Sequence, residues 1–209
     1  MMTLGIAIPL GHEDIPYIHR LLDSIDNSTL LPDVVSISVS GIPKFEYLKE
    51  HKFKIIITHS MEPYGASKNR NIASKILDTD VISFIDADDV CHPQRNEYIM
   101  EAMKTSTVVV HDYLQTTDIN NELLDTTYEF PKIFQNYIDT IVDNCKFPIS
   151  SREFKPYACG HVSVKKEILK IYQYNESLFY GEDAEFLQFI VRDNIFITLI
   201  ENKLTNYIK

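Results

Sequence analysis

Tryptophan is absent from this chain of 209 residues, and positive charge is scarce, with 20 Lys and Arg against 30 Asp and Glu. The formal net charge of -10 argues against a nucleic-acid-binding surface, which needs a basic footprint. A protein this acidic must neutralise any anionic ligand locally, with a metal ion or a few placed Lys and Arg side chains. Cys91, Cys145 and Cys159 are odd in number and show no C-x-x-C spacing. They fit a reducing compartment better than a disulfide framework or a zinc site. No stretch approaches the roughly 18 apolar residues of a membrane span. Met1–Leu10 lacks the basic start and long apolar core of a signal peptide, so a cytoplasmic location is expected. Repeats, low-complexity tracts and linkers are also missing.

What is present suits a folded α/β domain. The 44% hydrophobic content supports a full-sized core. Leu4–Leu10 reads as a strand that ends at Pro9-Leu10 and runs into a ligand-facing loop, Gly11-His12. Asp14 is placed to cap a helix with Pro16 in its first turn, running to about Asn27. Strands are predicted over 34–40 and 53–58, a helix over 64–77, and a buried strand over 81–85. A helix follows Pro93, then a strand over 107–114, a turn at 118–121 and a returning strand over 123–130. The segment 131–156 reads as a loop-rich, partly helical flap. A strand near 161–164, a helix over 182–192 and a last strand over 195–199 complete the pattern. Such alternation predicts a mostly parallel central sheet with helices on both faces.

The strand Val81-Ile82-Ser83-Phe84-Ile85 ends abruptly in Asp86-Ala87-Asp88-Asp89. Carboxylates crowded at the carboxyl end of a buried strand repel one another, and burying them is costly without a compensating cation or donors. Open α/β sheets bind their ligands at that edge. A divalent ion holding something anionic is the economical explanation.

Three stretches then combine: Ile6-Ala7-Ile8-Pro9-Leu10; Gly65 through Arg70-Asn71 leading to Asp86-Ala87-Asp88-Asp89; and Gly160-His161 through Lys166-Glu167 to Gly181-Glu182-Asp183. In this order they resemble the family 2 glycosyltransferases of the GT-A fold, a Rossmann-like α/β architecture with a smaller acceptor-side β and loop region. The resemblance implies one domain over 1–209. Residues 1–105 would be its nucleotide-sugar-binding half and 106–209 its acceptor-binding half, and the domain is compatible with being part of a larger transferase. It implies metal-dependent transfer, with inversion, from a nucleotide-diphosphate sugar, UDP favoured, to a hydroxyl of a glycan or other acceptor.

By the same resemblance Asp88 is the direct ligand of Mn²⁺ or Mg²⁺, and Asp86 reaches the ribose or a metal-bound water. Asp89 either supports the metal site or caps the helix after Pro93. Arg70, with Lys68 nearby, meets the nucleotide or diphosphate, because a planar guanidinium matches phosphate. Pro9, Leu10, Gly11, His12, Ser40 and Ala87 are the other nucleotide-site candidates. Ser40 stands in Val39-Ser40-Gly41, where the family commonly carries an Asp-rich turn touching the base. Asp183 is the candidate general base, kept ionised by a helix N-terminus, and Glu182 orients it or the acceptor. His161 is a further candidate ligand, a structural histidine being the other reading. Tyr157 and Tyr180 are the available stacking platforms for a sugar.

Two rivals stand beside this reading. Asp86-Ala87-Asp88-Asp89-Val90 also satisfies the signature of haloacid-dehalogenase-type phosphohydrolases, although that family places it on a first strand. A non-catalytic nucleotide-sugar-binding module is the other. A P-loop ATPase is excluded, since no G-x-x-x-x-G-K-[ST] occurs.

Overall fold

Leu4–Leu10 forms β1, and all seven of its residues are buried, as expected of a central strand covered on both faces. It pairs in parallel with β2 (Val34–Ser40) on one side and β4 (Val81–Phe84) on the other. Beyond β2 lies β3 (Lys54–Ser60), also parallel, whose burial is only partial because it forms the sheet edge. The structure is a computed structural model and describes residues 1–46, 49–117, 126–130, 135–136 and 161–208.

The pleat sends Ile6, Ile8 and Leu10 to one face and Ala7 to the other. On the first face packs α1 (Ile18–Asp26), through Ile18, Leu21, Leu22 and Ile25 at helical spacing. The second face is covered by α5 (Glu182–Arg192) through Phe186, Leu187 and Ile190, with Ala73 from α2 (Ala66–Ile76). Near its start, α2 buries polar residues instead: Ser67, Asn69 and Arg70. Polar burial at the carboxyl edge of a parallel sheet marks the functional end of the fold.

The other side of the sheet is mixed. After β5 (Val90–Cys91) and α3 (Arg95–Ala102), β6 (Val108–Thr116) runs antiparallel to β8 (Val162–Lys165), which is antiparallel to β4. The short helix α4 (Lys166–Leu169) follows β8. The last strand, β9 (Ile197–Ile208), is parallel to β6 and antiparallel to β5 and to β7 (Gln135–Asn136). Among the described residues the order is β3-β2-β1-β4-β8-β6-β9-β5, with β7 beside β9. No helix among them is long and apolar enough to cross a membrane.

The limits predicted for β2 and α5 coincide with those observed. α1 begins later than predicted, at Ile18, because a 3-10 turn at His12–Asp14 comes first. Its cap position is Tyr17, so Asp14 does not cap it. β9 runs well past residue 199: Ile200 and Leu204 stay buried, and β6 tolerates the extra residues through register shifts around Asp112. The predicted returning strand fails over 126–130. Side chains near α3 hold that segment instead, with Tyr128 N–H donating to Gln94 Oε1 at 2.7 Å and Tyr98 O–H to the Glu129 carbonyl at 2.6 Å. Residues 118–125 of the predicted turn and returning strand, most of the flap, Cys145, Cys159, Gly160 and Tyr157 lie outside the described residues.

Candidate active site

A cavity of about 450 Å³ opens at the carboxyl end of the parallel strands. The loop after β1 supplies Pro9, Gly11, His12, Glu13 and Asp14. Pro63, Tyr64, Ala66, Asn69 and Arg70 come from the approach to α2 and its first turns, and Asp86, Ala87 and Asp88 from the turn beyond β4. Tyr207 arrives from β9. Seven of the nucleotide- and metal-site candidates are therefore brought together: Pro9, Gly11, His12, Arg70, Asp86, Ala87 and Asp88.

Four candidates take other places, three of them from the nucleotide site and the fourth, His161, described below. Leu10 is wholly buried in the core under α1. Ser40 props the wall: its Oγ accepts from Asn69 Nδ2 at 2.9 Å and from Tyr64 N–H at 3.2 Å. Asn69 in turn accepts from Ser38 Oγ at 2.9 Å. The Lys68 ammonium sits over the Tyr64 ring, 3.7 Å from its centre, rather than in the cavity lining.

Asp88 is the most perturbed carboxyl of the cavity wall. Burial, followed by the neighbouring charges of Asp86 and Asp14, pushes its pKa up to about 6. Arg20 approaches this turn, but it donates to the Asp88 carbonyl rather than to the carboxylate. The adjacent Asp89 faces away. It is fully buried, and burial together with Asp86 and Asp88 holds its carboxyl well above the usual range. Its Oδ1 accepts from Ile208 N–H at 3.3 Å, fixing the end of β9. It does not cap α3, whose cap position is Gln94 without a side-chain bond. Beneath the turn the buried Arg95 donates to the Phe84 carbonyl at 2.7 Å and to His111 Nε2 at 3.0 Å.

Arg70 ties this turn to the start of α5. One terminal nitrogen donates to Asp86 Oδ1 at 2.6 Å and the other to Glu182 Oε1 at 2.9 Å. Gly181, at φ 78°, supplies the left-handed corner from which α5 departs. Neither Glu182 nor Asp183 lines the cavity; the guanidinium joins Glu182 to it. The expected effect of the helix terminus on Asp183 is outweighed. Burial is the largest influence and raises its pKa, against the Ala184 N–H that donates to Oδ1 at 2.8 Å.

His161 does not join the acid turn. Its buried ring stacks on Tyr113, centres 4.4 Å apart and 6° from parallel, with His111 and Tyr207 against its edges. Among the described residues the one three-membered group with metal-ligand spacing is Asp23, Asp26 and His51, away from the cavity. Internal bonds account for it: Asp26 accepts from Lys52 N–H at 2.9 Å and lies 2.7 Å from His51 Nδ1, while Asp23 pairs with Lys49. Tyr180 is 92% exposed and Phe179 89%, immediately before α5.

Sequence reasoning missed Asp14, Tyr64, Asn69 and Tyr207 as lining residues. Asn69 stands beside Arg70 in the quoted stretch and was there to be found. Tyr207 carries no local signal at all.

The profile of the family described as glycosyl transferase family 2 matches residues 6–163. An uncharacterised glycosyltransferase of Methanocaldococcus jannaschii is 26% identical over 98% of this chain and 70% of its own length. Among solved structures, S. aureus TarS 1-349 in complex with UDP matches with a TM-score of 0.67 at 16% identity. The same protein in complex with UDP-GlcNAc matches with 0.70 at 16% identity. Both cover 100% of this chain, which spans only 61% and 59% of the TarS chains. The likeness shows a shared GT-A fold.

Proposed function

The chain belongs to glycosyl transferase family 2, and from that premise we propose that it transfers a sugar from a nucleotide-diphosphate sugar, UDP favoured, to an acceptor hydroxyl, with inversion. The observation that carries this reading is one cavity holding Asp86, Asp88 and Arg70, with Arg70 bonded onward to Glu182 beside Asp183. The family membership removes the phosphohydrolase alternative.

The acid turn fits a hard divalent ion. Its side-chain donors are carboxylate oxygens, and burial, then the charges of Asp86 and Asp14, raise the Asp88 pKa, so a cation placed among them would be favoured. Asp88, with Asp86, would hold Mn²⁺ or Mg²⁺. Bound there, the ion would offset the charge of the diphosphate and of the group that leaves. Arg70 holds Asp86 in place and keeps Glu182 within reach of the same site.

Asp183 serves as general base. It takes the proton of the acceptor O–H as that oxygen bonds to the anomeric carbon. The bond from that carbon to the diphosphate oxygen breaks, and its electron pair leaves with the nucleoside diphosphate. Burial makes Asp183 a better proton acceptor than an exposed carboxylate. Phe179 and Tyr180 offer apolar faces beside this base, suited to a pyranose ring.

Thermal shift with UDP, GDP and dTDP, with and without Mn²⁺, tests the donor site. Metal-dependent stabilisation by at least one nucleotide is expected. Absence of any shift sinks the reading. Nucleotide binding with no transfer to any acceptor would favour a non-catalytic binding module.

A further inference from the structure

Tyr207 is, among the described residues, the one cavity-lining side chain from beyond residue 88. It reaches the cavity because β9 is carried past its register shifts against β6 and then pinned at its end. Thr205 and Asn206 pair with Cys91 and Val90, and Ile208 N–H donates to Asp89. Bulges next to a site commonly re-aim one side chain. The ring is braced edge-on by Tyr113 at 5.5 Å and by His161 at 6.1 Å. Burial, followed by the charges of Asp112 and Asp183, raises the Tyr113 phenol above its ordinary range.

The chemistry of the wall says what such a hydroxyl is for. Glu13, Asp14, Asp86 and Asp88 are carboxylates, and the guanidinium of Arg70 is already engaged by Asp86 and Glu182. A diphosphate here needs neutral donors on oxygens that a cation does not cover. A phenol supplies one without adding to the desolvation cost of another charge. A phenol is protonated at neutral pH, so it is available as a donor.

We propose that the Tyr207 hydroxyl donates a hydrogen bond to the β-phosphate of a nucleoside diphosphate held in this cavity. The proposal rests on the donor-site reading above. It adds a contact that distinguishes nucleoside diphosphate from monophosphate, and that strengthens as the leaving diphosphate gains charge.

Calorimetric titration with Mn²⁺ tests it, using whichever of UDP, GDP and dTDP the wild type binds, together with the matching monophosphate. Tyr207→Phe keeps the ring against Tyr113 and His161 and removes only the hydroxyl. A melting curve verifies that the variant is folded. Affinity for the diphosphate should fall about tenfold, the value of one hydrogen bond to a charged group, with the monophosphate unchanged. Unchanged diphosphate affinity, or an equal loss for both nucleotides, overturns the assignment. A wild type that binds none of the three diphosphates refutes the donor site itself, a result separate from any effect of the variant.

Discussion

In the parallel half of the sheet, β1, β2 and β4 are buried almost throughout, and they present Asp86 and Asp88 on one turn beyond a strand. In the mixed half, β9 shifts register against β6, and among the described residues its contribution is a single side chain, Tyr207, while α5 starts from a left-handed glycine to carry Glu182 and Asp183. The first half holds a group of charges rigidly, which suits phosphate and metal chemistry. The second delivers separate side chains by local irregularities, which would suit the variable acceptor proposed above. Arg70 is where they meet, bonded at once to Asp86 and Glu182.

The comparison breaks most sharply at Asp183. Asp183→Asn should lower transfer about a thousandfold while nucleotide affinity stays within about threefold, since a general base contributes roughly 10²–10⁴. Steady-state kinetics beside calorimetry would separate the two; normal turnover would end the base assignment. Next in size is the bridge. Arg70→Ala leaves two part-buried carboxylates without their cation and should cost about 3 kcal/mol in urea unfolding. Arg70→Lys, which keeps charge but not the fork, should lose less than half of that. A loss below about 1 kcal/mol for Ala would mean the two halves do not depend on this link.

A smaller effect of opposite sign is expected at Asp88. Its folded pKa of about 6 lies above that of an unfolded carboxyl. The favourable contribution of the protonated form is complete below the unfolded value and is lost as pH rises through about 6. At neutral pH without metal the ionised group therefore opposes folding. Asp88→Asn should stabilise the metal-free protein by about 1–2 kcal/mol at pH 7, a figure reduced for partial solvent access. Near pH 4 the difference should vanish. Paired urea melts with chelator at the two pH values check the sign; an equal effect at both would assign the gain to something other than ionisation. With Mn²⁺ present the same variant should lose metal-dependent nucleotide binding.

The parallel half, where the donor site is proposed, was largely legible because its signals are local. The apolar run 81–85 ends in four acid-turn residues, and Ala87, Asp88, Asp86 and Arg70 all reach one cavity. Its lapses were also local. Asp14 was read as a helix cap, but Pro16 and a 3-10 turn delay α1 and turn that carboxyl into the cavity wall. Leu10 sits on the core side of a fully covered strand, which a one-residue alternation decides. The mixed half depends on pairings no window of sequence contains. Asp89 and Ile208 are 119 residues apart, and their contact ties the inward-facing aspartate of the turn to the end of the strand that carries Tyr207. His161 was ambiguous for the same reason: its partners, Tyr113 and Tyr207, come from β6 and β9.

The smallest expected effect concerns the proposed acceptor side alone. Phe179 and Tyr180 are nearly fully exposed at the entry to α5, whereas the strand residues around Asp86 are buried. Side chains that bury so little surface contribute little to folding, so Tyr180→Ala should change stability by less than about 0.5 kcal/mol. If this lip receives a sugar ring, the substitution should raise acceptor KM about threefold to tenfold, in line with the loss of one stacking contact. Donor binding and kcat should be unaffected, because Asp183 and the cavity remain in place. Saturation curves for acceptor and donor in the same variant decide it. A change in donor KM with acceptor KM constant would move the aromatic lip to the nucleotide side and erase the division of labour between the two halves.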